Sequence, residues 1–167
     1  MPENTAIPES EGDPRFYLSE EANTYLGRLN KNSTSGKIQP KLKFWWLCAQ
    51  VGILSNRTMP CDQGAMGVRT FVPPLDSHSS LIRGILLMEA IQRVDVGDGD
   101  ERTLVESVMS KHITNSTASQ LTHHATKLLD NYSTGGFQVI RDELGAHHEL
   151  HTFMLAYHEL VMRLSAA

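Results

Sequence analysis

The sequence predicts a mostly α-helical, compact domain with one or two short strands and a ribbon-helix-helix-like strand-helix-helix order near its N-terminal end. Three observations carry this expectation. Apolar residues recur at i, i+3, i+4 and i+7 through most of the chain. Only two short stretches, around Phe16 and around Val68, read as extended. Clusters of Gly, Pro, Asn and Ser separate the periodic segments. A length of 167 residues with 40% hydrophobic and 20% charged side chains suits one soluble domain able to bury a core.

Residues 1–14 hold three prolines and four carboxylates with almost no large apolar side chain, the composition of a disordered acidic arm. Phe16, Tyr17 and Leu18 form the first strand candidate. Ser19 is placed to cap a helix, with Glu20 and Glu21 at its positive end. Ala22, Tyr25, Leu26 and Leu29 then make one apolar helix face. Residues 30–40 read as a loop. A second helix over 41–54 is apolar nearly all round, which puts it at the centre of a core or in an oligomer interface. Trp45 and Trp46 point about 100° apart on that helix, and core packing is the simpler expectation for both.

A second strand is predicted over 68–72, stopped by Pro73 and Pro74. A third helix starts after Asp76 or Ser77, with Leu81, Ile82, Ile85, Leu86 and Met88 as its buried side. Residues 97–100 form a turn that caps a fourth helix with Leu104, Val105, Val108, Met109 and His112 on one stripe. Thr117 and Gln120 have capping-box spacing for a fifth helix, whose apolar face is Leu121, Ala125, Leu128, Leu129 and Tyr132, and Gly135 and Gly136 end it. Residues 137–167 are read as a C-terminal helical extension of the same domain, divided or kinked at Gly145.

Positive charge is concentrated in one place. Residues 22–61 contain Arg28, Lys31, Lys37, Lys41, Lys43 and Arg57 and no Asp or Glu. The rest of the chain carries nine basic and nineteen acidic side chains, a net of −10 against −4 for the whole. A basic segment leading into an apolar helix is suited to a polyanion, with DNA the first candidate; a solvated basic loop is the simpler alternative. These six residues are the candidate nucleic-acid contacts. In ribbon-helix-helix modules two chains pair their strands in the major groove; here only Arg15 and Tyr17 of the first strand are placed to read bases.

No constellation specifies an active site. His147, His151 and His158 fall on one helical stripe, but residues seven apart stand about 10 Å from each other and cannot share one tetrahedral metal. The stripe is read as the polar border of a packed helix. Asp95, Asp98, Asp100 and Glu106 lack EF-hand spacing, and Gly36-Lys37 lacks the preceding glycine of a P-loop. Cys48 and Cys61 do not make a disulfide framework. No cofactor or metal is expected. With no signal pattern and no long apolar run, a cytoplasmic location off the membrane is expected.

The order of features resembles one family. A short strand leads to Leu18-Ser19-Glu20-Glu21-Ala22, Tyr25-Leu26 and Leu29. A basic loop follows, then an apolar helix ending in Val51-Gly52-Ile53-Leu54-Ser55. After a turn come Leu81-Ile82-Arg83-Gly84-Ile85-Leu86-Leu87 and, later, Leu121-Thr122-His123-His124-Ala125-Thr126-Lys127-Leu128-Leu129. Over residues 16–132 this pattern is similar to the DndE family of bacterial DNA phosphorothioation systems, so that 15–136 reads as a DndE-like helical domain. The resemblance implies a small helical oligomer associated with DNA and with sulfur-modification or restriction partners, without an active site of its own. It places Lys31, Lys37, Lys41 and Lys43 on the family's basic loop. The segment 68–74 and the His-rich tail from Phe137 depart from the family pattern.

The resulting expectation is a non-enzymatic, DNA-associated accessory subunit of a DNA modification or anti-phage defence system, working as a homo-oligomer or in a hetero-complex with larger subunits. The alternative is a protein-protein adaptor that docks a larger ATPase, helicase or nuclease without touching DNA.

Overall fold

A computed structural model describes residues 12–61, 64–94, 100–147 and 149–167. Of the acidic arm, residues 1–11 lie outside this range, as do Asp95 and Asp98. The described residues form a mostly helical fold with one two-stranded antiparallel sheet: β1 (Phe16–Leu18), α1 (Glu20–Asn32), α2 (Lys41–Leu54), β2 (Ala65–Val68), α3 (Ser79–Gln92), α4 (Glu101–His112), α5 (His123–Leu144) and α6 (Leu150–Ser165). Among them no helix is long and apolar enough to cross a membrane.

The apolar α2 lies at the centre, as its all-round composition predicts. Phe44, Trp45, Cys48, Ala49 and Val51 are fully enclosed, and Trp46 is buried too. Ser19 caps α1 by accepting from the Ala22 N–H at 3.3 Å, and α1 lays Ala22, Leu26 and Leu29 against the core. Phe44 packs with Tyr25, Phe137 and Phe153, so α1, α5 and α6 meet at one aromatic cluster. The cluster includes residues beyond 136, and position 136 itself lies inside α5.

Here the structure departs from expectation. Gly135 and Gly136 do not end the fifth helix; α5 runs through them for 22 residues, about 33 Å at 1.5 Å per residue. Its backbone crosses α2 so closely that only glycine fits. A Cβ on Gly136 would stand 2.9 Å from the Cys48 carbonyl carbon and closer still to its oxygen. A Cβ on Gly52 would meet the Tyr132 carbonyl carbon at 2.8 Å. Helix spacing follows the bulk at the contact, so removing side chains from both helices brings their backbones together. Ser133 seals the crossing by donating to the Trp45 carbonyl at 3.0 Å.

The start of α5 also differs. Its cap is Thr122, which accepts from the Ala125 N–H at 3.2 Å. Thr117 and Gln120 belong instead to a loop closed by the Ile113–Leu121 bridge, and Gln120 has a left-handed φ of 59° that no helix accommodates. Gly145 ends α5 with φ 65°, so the predicted division falls there.

The second strand lies at 65–68 rather than 68–72. Phe71 turns into the core against Phe16, ring centroids 5.0 Å apart, which takes the following residues out of pairing. β1 pairs with β2 of the same chain, Tyr17 opposite Met66 and Leu18 opposite Ala65, with a bulge where Met66 and Gly67 adopt positive φ. The strand-helix-helix order is present, and the partner of β1 is internal.

On α3 only Ile82, Leu86 and Ala90 are buried. Leu81 and Met88 are 60% and 63% exposed, because they sit about 140–160° around the helix from Leu86. On α4 the buried stripe narrows to Val108 and His112, with Val105 and Met109 exposed.

Candidate functional site

Five of the six predicted contact residues gather at one end of the fold. Arg28 and Lys31 stand exposed on the last turns of α1, Lys37 on the loop and Lys41 on the first turn of α2, where Lys43 is half-buried. Arg57 follows the other end of α2, about 20 Å away along the helix axis, and is not part of this group. None of the six forms an ion pair with a described carboxylate.

The start of α2 is electrostatically unfavourable as it stands. Its N-cap is Pro40, with no side-chain cap, and its first turn has no acid. Lys41 and Lys43 therefore face the positive end of the helix dipole, which favours anions and opposes cations by a few tenths to about 1 kcal/mol each. Lys31 sits at the opposite pole of α1, where a cation is favoured.

The loop between these helices is built. Asn30 grips Ile38 in both directions, accepting from its N–H at 2.8 Å and donating to its carbonyl at 3.1 Å. Glu149 accepts from the Thr34 N–H at 3.2 Å and from the hydroxyls of Thr34 and Ser33. The Thr34 backbone bond, followed by the hydroxyls, holds the Glu149 carboxyl below its ordinary range. A carboxyl whose folded pKa is depressed anchors the loop above its ordinary pKa and releases it as pH falls through the depressed value. The protection of the Thr34 amide against exchange, relative to its intrinsic rate, is accordingly expected to fall at acid pH and in Glu149→Ala, with the protection of α2 unchanged; an unaltered Thr34 protection in that variant would show that Glu149 does not hold the loop.

A second feature lies beside the sheet. A cleft of about 560 Å³ opens between the residues preceding β1, the end of β2 and the first turns of α5. Arg15, Arg69, His123 and Lys127 surround it, with Asp13 as the acidic member of the wall. Its innermost residues are Thr126 and Asp130, 2% and 4% exposed. Asp130 Oδ1 accepts from the Trp45 indole at 2.8 Å and from the Tyr17 N–H at 3.1 Å. Burial drives the Asp130 carboxyl up to about 8, against the lowering effect of those two bonds. Thr126 Oγ1 has no hydrogen-bond partner. Sequence reasoning passed over both residues. The available signal was two polar side chains, i and i+4, set into the apolar stripe of α5.

His147 precedes α6 rather than lying on it and stacks edge-on against Phe153, so it does not extend the stripe of His151 and His158. His148 is outside the described residues. No group of three or more His, Cys, Asp or Glu side chains able to hold a metal occurs among the described residues.

Compared with known proteins, the chain matches no family model, no curated protein and no solved structure.

Proposed function

We propose that this protein is a non-enzymatic, DNA-associated accessory subunit of a bacterial DNA modification or anti-phage defence complex in the cytoplasm. Lys31, Lys37, Lys41 and Lys43 would contact backbone phosphates, with Arg28 alongside. The observation that supports this reading is the first turn of α2: two lysines without ion-pair partners at the positive end of an uncapped helix. A phosphate there relieves the repulsion and takes the helix N–H groups as donors. The DndE-like order of features and the strand-helix-helix arrangement agree with it. Because β1 already pairs with β2, the phosphate contacts are assigned to the helix end and not to a ribbon shared between copies. Such contacts position DNA without reading sequence.

Replacing Lys37, Lys41 and Lys43 together with Ala is expected to weaken duplex DNA binding. The slope of log affinity against log salt should fall by about one for each phosphate no longer neutralised by a lysine. An unchanged slope, measured by fluorescence anisotropy over a salt series, would remove DNA contact from this surface.

A second reading, the adaptor, is favoured by a different observation. Leu81 and Met88 on α3 and Leu155 and Met162 on α6 leave more than half of each side chain exposed. A groove floored by Trp46 and Ile53 separates Ile85 of α3 from Val161 of α6. Exposed aliphatic rows of this kind mark protein contacts, here with a larger ATPase, helicase or nuclease. A Leu81→Lys, Met88→Lys variant that loses nuclease-resistant partners from its native host while keeping DNA affinity would establish this reading.

A further inference from the structure

We propose that the cleft beside the sheet binds a phosphorylated small molecule of nucleotide size, with its phosphate between Arg15, Arg69 and Lys127 and above the Thr126 hydroxyl. This site is separate from the DNA-contacting surface, which lies on the end formed by α1 and α2.

Three cations reach the cleft from three parts of the chain: Arg15 ahead of β1, Arg69 just after β2, and Lys127 on α5. None forms an ion pair with a described carboxylate. The opening turn of α5 adds its dipole. Thr122 caps only the Ala125 N–H, so the first amides of a 22-residue helix retain their affinity for an anion.

The Thr126 hydroxyl is the independent sign of a ligand. Buried hydroxyls in folded proteins are nearly always hydrogen-bonded, and leaving one unpaired costs about 1–3 kcal/mol. A helical threonine has an outlet in the carbonyl four residues back. Thr134, two turns further along α5, uses it, donating to the Asp130 carbonyl at 3.0 Å. Thr126 makes no such bond. Its partner is then expected to come from outside the chain.

Asp130 does not oppose an anion at neutral pH. Its buried carboxyl is largely uncharged there, and its Oδ1 is already engaged by Trp45 and Tyr17. Among the described residues the wall is thus rich in donors and, Asp13 apart, free of negative charge. Three cations and a hydroxyl suit the two charges and three acceptor oxygens of a phosphate monoester better than a single carboxylate. The volume of about 560 Å³ falls within the range of small-molecule sites. Only a group that enters the cleft can approach its floor, which favours a small ligand over a duplex backbone.

Trp45 supplies the readout, since its indole N–H is bonded to Asp130. Titration of the full chain with AMP is expected to move the Trp45 indole resonance saturably, while adenosine leaves it in place. Arg69 and Lys127 are exposed, so Arg69→Ala and Lys127→Ala should fold normally and weaken AMP binding about tenfold each, the effect of losing one charged hydrogen bond. Thr126→Val keeps the shape and should also weaken it. Lys37→Ala with Lys41→Ala should leave AMP affinity unchanged, so failure here and failure of DNA binding are separable. The proposal is overturned by an absent or non-saturating Trp45 response to millimolar AMP or inorganic phosphate. It is equally overturned by AMP affinities that fall alike in the cleft and the Lys37/Lys41 variants, the mark of diffuse charge attraction.

Discussion

Gly136→Ala is expected to unfold the protein or leave it with only a fraction of its stability. The added methyl would enter the backbone of α2 at Cys48 and Gly52, and neither a carbonyl nor an amide nitrogen inside a helix can swing away as a side-chain tip can. Overpacking a core costs roughly 1–3 kcal/mol when side chains adjust. Here the two central helices must separate, and the loss should reach about 4 kcal/mol or more, a large part of the 5–15 kcal/mol typical of a domain. Gly52→Ala should behave alike, through Tyr132. Gly27 on α1 and Gly84 on α3 are the controls, because a Cβ at either meets nothing within 4 Å. Alanine there should raise stability by about 0.5–1 kcal/mol through helix propensity alone. Urea unfolding followed by circular dichroism compares all four. Equal midpoints for Gly136→Ala and Gly84→Ala would show that α5 and α2 can part at little cost.

Asp130 should make stability depend on pH in an unusual direction. Its carboxyl titrates near 8 in the folded chain and near 3.8 when exposed. Between those values the folded state holds a proton that the unfolded state has released. Stability therefore falls as pH rises through this window and levels off above it. The full span is on the order of 5 kcal/mol, fully present as stability below the lower value. Asp130→Asn keeps the acceptor for Trp45 and Tyr17 and has no proton to lose, so it should match the native protein in acid and exceed it at pH above 8. Asp130→Ala removes that acceptor and leaves a buried indole and a strand amide unpaired, a cost of about 3 kcal/mol relative to Asp130→Asn at any pH. Chemical unfolding of the three proteins across the pH range tests this. A native stability that stays level from pH 4 to pH 8 relative to Asp130→Asn would mean that the carboxyl is ionised in the fold.

Several elements were determined by the sequence alone. Ser19 and the spacing of Ala22, Leu26 and Leu29 defined α1, and the unbroken apolar run set α2 at the centre, where both tryptophans are buried. These are short-range matters: a cap, a period, and a segment with no polar face to turn outward. The gathering of basic side chains around Lys37 was also legible, since neighbours in sequence that flank one loop remain neighbours in space.

What tertiary structure decided lay wherever a residue's meaning depends on a distant partner. Gly135 and Gly136 read locally as a helix end because glycine is a poor helix former; the close approach of the segment after α2 to Gly135 and of α2 itself to Gly136 made them a crossing instead. Leu81 and Met88 read as core, and the narrow contact of α3 left them in solvent. Phe71 left its strand for the face of Phe16. The cleft beside β1 was the least legible of all. Its cations come from positions 15, 69 and 127, and its floor comes from two polar residues that local periodicity counts as interruptions of an apolar face. Periodicity records which side of a helix avoids water. It carries no record of which polar group on that side has been given a partner from another part of the chain, and that pairing is what the fold supplies.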